Sequence, residues 1–307
     1  MQKTMFGKTG FETSRLGIGL SETGFNLSAE EEAQAVDVIN AALDNGINFL
    51  DTAACYGLSE EQVGKAVSHR RDEFFLATKA GHYLPRNEGE DWTAEVILES
   101  IDRSLQRMKT DHVDLLQLHS CTVEVLERGE VIEALKKVRD AGKTRFIGYS
   151  GDNENAEWAV RSGEFDTLQT SFNLVDQKAR TTLLPEAEAK GMGIIIKRPI
   201  GNAVWGAAQD PRPYNHIPAY TEEYFRRAGI MQADGPLPSE PSDRILTAMG
   251  FVLGHTEVDV VIVGTQRKHH LESNIQLVSE QLPIADETIT ELHARYDRHS
   301  NNWEQRG

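Results

Sequence analysis

Cysteine is scarce in this chain, with two residues in 307, Cys55 and Cys121. So few exclude the disulfide framework of a small secreted domain and a cysteine-rich metal quartet, and both read as unpaired thiols. Long apolar runs are missing too. The longest, such as Val258–Val263, are interrupted or far short of the ~20 residues that span a bilayer. The opening Met1-Gln2-Lys3-Thr4-Met5-Phe6 lacks the apolar centre of a signal peptide. A reducing, cytoplasmic setting with no membrane partner is the expectation. Basic residues are outnumbered, 32 Lys and Arg against 48 Asp and Glu, for a formal charge of −16. Phosphate backbones attract basic surfaces, so nucleic acid is excluded as the main partner. Also absent is a G-x-G-x-x-G in a strand-to-helix turn, the main signal of an open dinucleotide-binding sheet; Gly17 and Gly19 are too short a motif to replace it.

What the chain does have is alternation. Short β-rich runs lie at Arg15–Gly19, Asn48–Asp51, Phe74–Lys79, Val113–His119, Thr144–Tyr149, Thr167–Phe172, Gly193–Lys197 and Val260–Val263. Segments of helical periodicity follow them, near Ala29–Asn45, Glu60–Ser68, Ala94–Met108, Val131–Ala141, Asn155–Ser162, Leu183–Lys190, Arg244–Gly254 and His269–Ser279. In Ala94–Met108, for example, Val96, Ile97, Ser100, Ile101, Ser104, Leu105 and Met108 form one face. Eight strand-helix units predict a closed (β/α)₈ TIM barrel, with residues 1–307 as a single domain. Met1–Ser14 reads as an N-terminal β-hairpin turning at Gly7-Lys8-Thr9-Gly10 and capping the barrel floor. A long loop after the seventh strand, 198–242, holds seven of the ten prolines and a short helix at Tyr220–Arg227. It is read as a substrate-covering loop, with a solvated insertion as the competing reading of its second half.

Side chains alternate between the barrel interior and the helix layer. Phe49 and Asp51 then share a face, as do Phe75, Ala77 and Lys79, and Val113, Leu115, Gln117 and His119. Asp51, Lys79 and His119 each end one of three consecutive strands, where barrel active sites sit. Tyr56 follows closely enough to fold its phenol back over the same rim. Near neutrality a phenol with a pKa of about 10 is a poor proton donor. A buried lysine stabilises the phenolate, an aspartate keeps that lysine charged, and a neutral histidine can hydrogen-bond and orient a carbonyl oxygen. Singly, each of these residues is better explained by packing or an ordinary ion pair. Four of them in this order and register point to carbonyl chemistry, and hydride must come from a cofactor because no side chain carries it.

These residues sit in motifs that resemble those of the aldo-keto reductases over nearly the whole chain. The relevant stretches are Phe6-Gly7-Lys8-Thr9-Gly10 with Ser14–Gly19, Asn48–Ala53 with Tyr56-Gly57 and Glu60, Thr78-Lys79, Asp114–His119, and Lys143–Ser150. The resemblance implies Tyr56 as general acid, Lys79 and Asp51 as its tuning pair, and His119 as the carbonyl-orienting residue. It also implies Gly19, Ser150 and Gln169 at the cofactor, the last two at the nicotinamide carboxamide. By the same resemblance Gly264, Thr265, Arg267, His270 and Asn274 form the adenosine phosphate pocket, in a basic stretch that stands out because cations are disfavoured at a helix N-terminus. NADP(H) is the implied cofactor. His270 stands where many members have arginine, so NAD(H) is not excluded. Gly151 replaces the usual asparagine, whose carboxamide contact is then absent or comes from Asn153. Tyr83 and Trp205 are the candidate substrate contacts.

The implied activity is reduction of an aldehyde or ketone to an alcohol, with a small carbonyl compound as partner and oligomeric state undetermined. A nicotinamide-binding sensor or channel-associated subunit with vestigial activity is the alternative. A metal-dependent barrel hydrolase using Asp51, His82 and His119 lacks paired ligand spacing such as H-x-H, and no metal is expected.

Overall fold

The computed structural model describes residues 1–85, 88–207, 219–301 and 303–306. An antiparallel hairpin opens the chain, β1 (Lys3–Met5) and β2 (Glu12–Ser14). Eight parallel strands follow: β3 (Leu16–Gly19), β4 (Phe49–Asp51), β5 (Phe75–Ala80), β6 (Val113–His119), β7 (Thr144–Ser150), β8 (Thr167–Ser171), β9 (Gly193–Lys197) and β10 (Val260–Gly264). They close into a barrel in sequence order, with β10 pairing β3. The eight expected strands are all present, with ends that move by a residue or so. A strand buried on both faces needs apolar residues throughout, and Ile194, Ile195 and Ile196 of β9 are all buried.

The barrel interior is aromatic at its lower end. Phe6, Phe49, Phe75, Ala77, Leu115, Ile195, Val260 and Ile262 form one cluster, separate from the larger shell between strands and helices. Val113, expected inside with Leu115, belongs to the outer shell instead. Phe6 comes from the hairpin and meets Phe49 and Phe75 edge-on, with centroids 5.5 and 5.3 Å away. The hairpin therefore plugs the floor. Gly7 makes this closure fit: its φ is +49°, and a Cβ there would lie 2.3 Å from Gly193 N.

Helices cover the outside. Ala94–Met108 has the bounds its apolar stripe predicts. Thr93 Oγ1 accepts from Val96 N at 3.2 Å, satisfying one of the first-turn donors, and Lys109 ends the helix in the left-handed conformation. Leu105, placed on the same stripe, is only half-buried. Helices at Ser21–Asn26, Val123–Arg128 and Asp286–His299 lie outside the expected set. Among the described residues, no helix is long and apolar enough to cross a membrane.

The loop after β9 is more structured than its prolines suggest. Its short helix is a 14-residue one, Ala219–Gln232; Pro211, Pro213 and Pro218 lie outside the described residues. Arg227 is fully buried and donates to Val175 O and Glu304 O, at 3.3 and 2.7 Å, beside Asp176. Buried Arg295 donates to the carbonyls of Met231, Gly235 and Pro236. The second half of the loop is thus tied to the barrel, contrary to a solvated insertion.

His255 and His293 fasten the helix Asp286–His299 to the segment after Arg244–Leu253, with their Nε2 atoms 3.0 Å apart. Burial pushes His293 down to about 4, with Arg180 and His255 adding to the effect and Asp297 opposing it. An unfolded imidazole takes up its proton near pH 6.5. Between those values the unfolded chain binds more protons, so this residue makes stability fall as pH drops from about 6.5 toward 4. Buried Asp176 and Asp259, raised to about 6, act in the opposite direction but in parent and variant alike. We expect His293→Leu to make the acid-side loss of thermal stability shallower than in the parent, as read from melting temperatures across pH 4–7.

Candidate active site

The strand ends step upward around one rim. Asp51 ends β4 opposite Ala77, Lys79 lies two residues further along β5 opposite Gln117, and His119 two residues further along β6. All three project from the end that barrels use for chemistry. The turn after β4 brings in Tyr56, whose N–H donates to Ala53 O at 3.0 Å. The short helix Ser21–Asn26 packs directly on this turn. A Cβ at Gly24 would sit 2.1 Å from Tyr56 O, so only glycine lets the two backbones meet.

The structure brings the four side chains together. Lys79 Nζ is ion-paired with Asp51 Oδ1 and donates to Thr52 O at 3.0 Å, with both charged groups almost wholly buried. The same ammonium stands 5.0 Å from the centroid of the Tyr56 ring. Tyr56 Oη and His119 Nε2 are 3.4 Å apart. Burial works against the charge on Lys79, but Asp51 and Tyr56 outweigh it and hold the ammonium above its ordinary pKa. Tyr56 behaves otherwise than its partner alone implies. Desolvation around the hydroxyl pushes its pKa above the usual 10, and Lys79 only partly reverses this. The phenol is protonated at neutrality, beside a cation that favours the phenolate once the proton has left.

Beneath the rim lies a set of amides. Asp51 Oδ2 accepts from Gln169 Nε2 at 2.8 Å and Gln117 Nε2 at 3.3 Å, and Ser150 Oγ donates to Gln169 Oε1 at 3.1 Å. Gln117 was placed on the inward face of β6 but given no task; the signal for one was a polar side chain at a core position. Ser150 and Gln169 are both buried and linked to each other here. Gly151 cannot carry a side chain, because a Cβ would lie 2.5 Å from the Tyr149 hydroxyl, itself donating to Cys121 O. Asn153 lies two residues further on. It is joined to the C-terminal segment, its Oδ1 accepting from Gln305 N at 3.1 Å.

Around the other side of the rim, Gly19 and Gly264 end neighbouring strands in register. A Cβ at Gly19 would meet nothing closer than 3.8 Å, which leaves an open cradle. Thr265 Oγ1 accepts from Arg267 N at 3.1 Å and shapes the entry to the helix Lys268–Glu280. Arg267 and His270 are exposed, and Asn274 is half-buried further along the helix. A cationic, accessible stretch at the start of a 13-residue helix suits a phosphate group, so the donor set fits a phosphorylated dinucleotide.

Trp205 is not at the surface of the mouth. It is 2% exposed, packs in the apolar shell and donates Nε1–H to Glu240 Oε1 at 2.8 Å. Tyr83 is half-buried in a loop held by Asp91, whose Oδ1 accepts Tyr83 N–H at 2.7 Å. The grouping of Asp51 with His82 and His119 fails, because Asp51 is committed to Lys79. Its place beside the two histidines is taken by Cys55.

A closed barrel carrying this rim matches a known class. The family model described as Aldo/keto reductase family covers residues 15–295, and the chain belongs to that family of oxidoreductases, which act on carbonyl compounds with nicotinamide cofactors. L-galactose dehydrogenase of Arabidopsis thaliana is similar to it at 32% identity over 302 residues, covering 94% of this chain and 92% of the relative. D-threo-aldose 1-dehydrogenase of a Pseudomonas species is 28% identical, with 89% and 92% covered. The holo form of an aldo-keto reductase from Bacillus halodurans superposes with a TM-score of 0.80 at 25% identity, covering 96% of each chain.

Removing one partner of a buried ion pair strands the other. Lys79→Met should lower folding stability by about 3–5 kcal/mol, measured by urea unfolding, and the double variant Lys79→Met/Asp51→Leu should recover much of it. A single variant as stable as the parent would contradict the pairing.

Proposed function

We propose that this chain, as one barrel domain over 1–307, reduces an aldehyde or ketone to an alcohol with NADP(H), and that Tyr56 delivers the proton. The observation that carries the reading is the meeting of the Tyr56 hydroxyl with His119 Nε2 at 3.4 Å while the Lys79 ammonium stands 5.0 Å from its ring centroid. The nicotinamide supplies the hydride. His119 orients the carbonyl oxygen by a hydrogen bond. As negative charge develops on that oxygen, Tyr56 passes its proton across, and the Lys79 ammonium stabilises the phenolate left behind. Asp51 keeps Lys79 charged, and Gln117 and Gln169 hold the Asp51 carboxylate in place. Ser150 and Gln169 approach the carboxamide by exchanging their mutual hydrogen bond for contacts to it.

Gly19, Gly264, Thr265, Arg267, His270 and Asn274 are the proposed adenosine-phosphate contacts. The preference for NADP(H) over NAD(H) is supported by the exposed cation Arg267 at the start of its helix. Sugars join simple aldehydes and ketones on the substrate panel because two of the relatives are named as dehydrogenases of galactose and of aldoses.

Tyr56→Phe should lower NADPH-dependent reduction by about 10²–10⁴-fold and leave the NADPH affinity, read by fluorescence titration, unchanged. Retained turnover in this variant would overturn the assignment of the proton donor. Tight cofactor binding without turnover on the whole panel would instead favour a sensor. In the same titration the parent should bind NADPH more tightly than NADH, and Arg267→Ala should weaken NADPH by about tenfold while NADH changes less.

A further inference from the structure

We propose that Cys55, His82 and His119 form a binding site for a zinc-type divalent cation at the rim of the barrel. Their donor atoms all lie within 4.8 Å of one another, and each residue is part-exposed, so an ion has a path in. Zinc holds sulfur at about 2.3 Å and imidazole nitrogen at about 2.0–2.1 Å in tetrahedral geometry, which sets donor-to-donor edges of roughly 3.4–3.6 Å. Cys55 Sγ and His119 Nδ1 are already 3.5 Å apart. The remaining edges close by side-chain rotation of about an ångström, within the reach of part-exposed rotamers.

His82 carries the second observation. Its Nδ1 is 2.8 Å from Asp91 Oδ2, and the other oxygen of that carboxylate accepts the Tyr83 N–H at 2.7 Å. A carboxylate behind a histidine, itself anchored by backbone, fixes the ring's tautomer and raises its basicity, as it does behind metal-bound histidines. With Nδ1 so engaged, Nε2 is the metal donor. The His82 ring also packs edge-on against Trp92 at 4.6 Å, which limits its movement.

One thiolate and two imidazoles select zinc over magnesium or calcium, which prefer oxygen ligands. Three protein ligands leave a fourth position for water or another small ligand. Binding exchanges the Cys55 thiol proton for the ion; the proton goes to solvent, and nothing is oxidised or reduced. The ion would hold His119 by Nδ1 and place its positive charge on the ring that orients the carbonyl oxygen. The resulting inhibition of reduction rests on the proposed function; the site itself does not.

Cobalt(II) gives a readout independent of turnover. Added to the metal-free full chain, it should produce sulfur-to-cobalt charge-transfer absorption that saturates at one equivalent and is bleached by zinc. Cys121, the other thiol, is buried and pushed up to about 12 by desolvation, so the band reports Cys55. Cys55→Ser should abolish the band, and His82→Gln and Asp91→Asn should each weaken cobalt binding by about tenfold or more, with circular dichroism checking that each variant is folded. No band in the folded parent, a band that survives Cys55→Ser, or unchanged affinity in His82→Gln would overturn the site. Zinc should also inhibit carbonyl reduction reversibly, with EDTA restoring it. Cobalt binding that leaves turnover untouched would overturn the inhibition alone.

Discussion

The Asp51–Lys79 ion pair is the constraint around which the rim is arranged. Two charges taken out of water at neighbouring strand ends carry a desolvation cost of several kcal/mol each, and a single salt bridge recovers it only with good geometry and further hydrogen bonds. The barrel supplies those bonds from four different strands or their ends: Thr52 O to the ammonium, Gln117 and Gln169 to the carboxylate, and Ser150 behind Gln169. Apart from Thr52, which follows Asp51 directly, none of these partners is near the pair in sequence. Their meeting depends on closure of the sheet in register, so the charge network and the fold support each other.

The two ends of the barrel divide the labour. The floor is closed by aromatic packing from the hairpin, with Phe6 between Phe49 and Phe75. The rim is polar, accessible and built from residues that tune one another's protonation. In β5 this change occurs within a few residues, from Phe75 at the bottom to Lys79 at the top.

Much of this was legible before any coordinates. The strands were short β-rich runs, and because side chains alternate between the interior and the helix layer, the inward direction of Asp51, Lys79 and His119 followed from counting. The helix Ala94–Met108 was readable to the residue because Val96, Ile97, Ser100, Ile101, Ser104 and Met108 recur on one face of it. What escaped was held by distant contacts. Ala219–Gln232 follows a proline-rich stretch, and buried Arg227 joins it to Val175 and Glu304. Asp286–His299 is highly charged, yet Leu292, Arg295 and Tyr296 are buried on one side of it. The burial of Trp205 was not legible because a large aromatic in a loop has no periodicity to say which way it faces. The clustering of Cys55, His82 and His119 arises from two strand-to-helix connections and the end of a third strand, a closeness that spacing cannot reveal.

The stitching of the C-terminal segment bears on how the molecule is made. Gln305 Nε2 donates to Thr170 Oγ1 and Ser171 O, at 3.0 and 2.7 Å, and Arg306 N–H donates to Asp176 Oδ2 at 3.0 Å. These are bonds to the end of β8 from residues more than 120 positions later. During synthesis β3 to β10 are all made before Gln305. The barrel staves can therefore assemble before residues 305–306 exist, but the bonds around β8 form only once that later stretch has emerged.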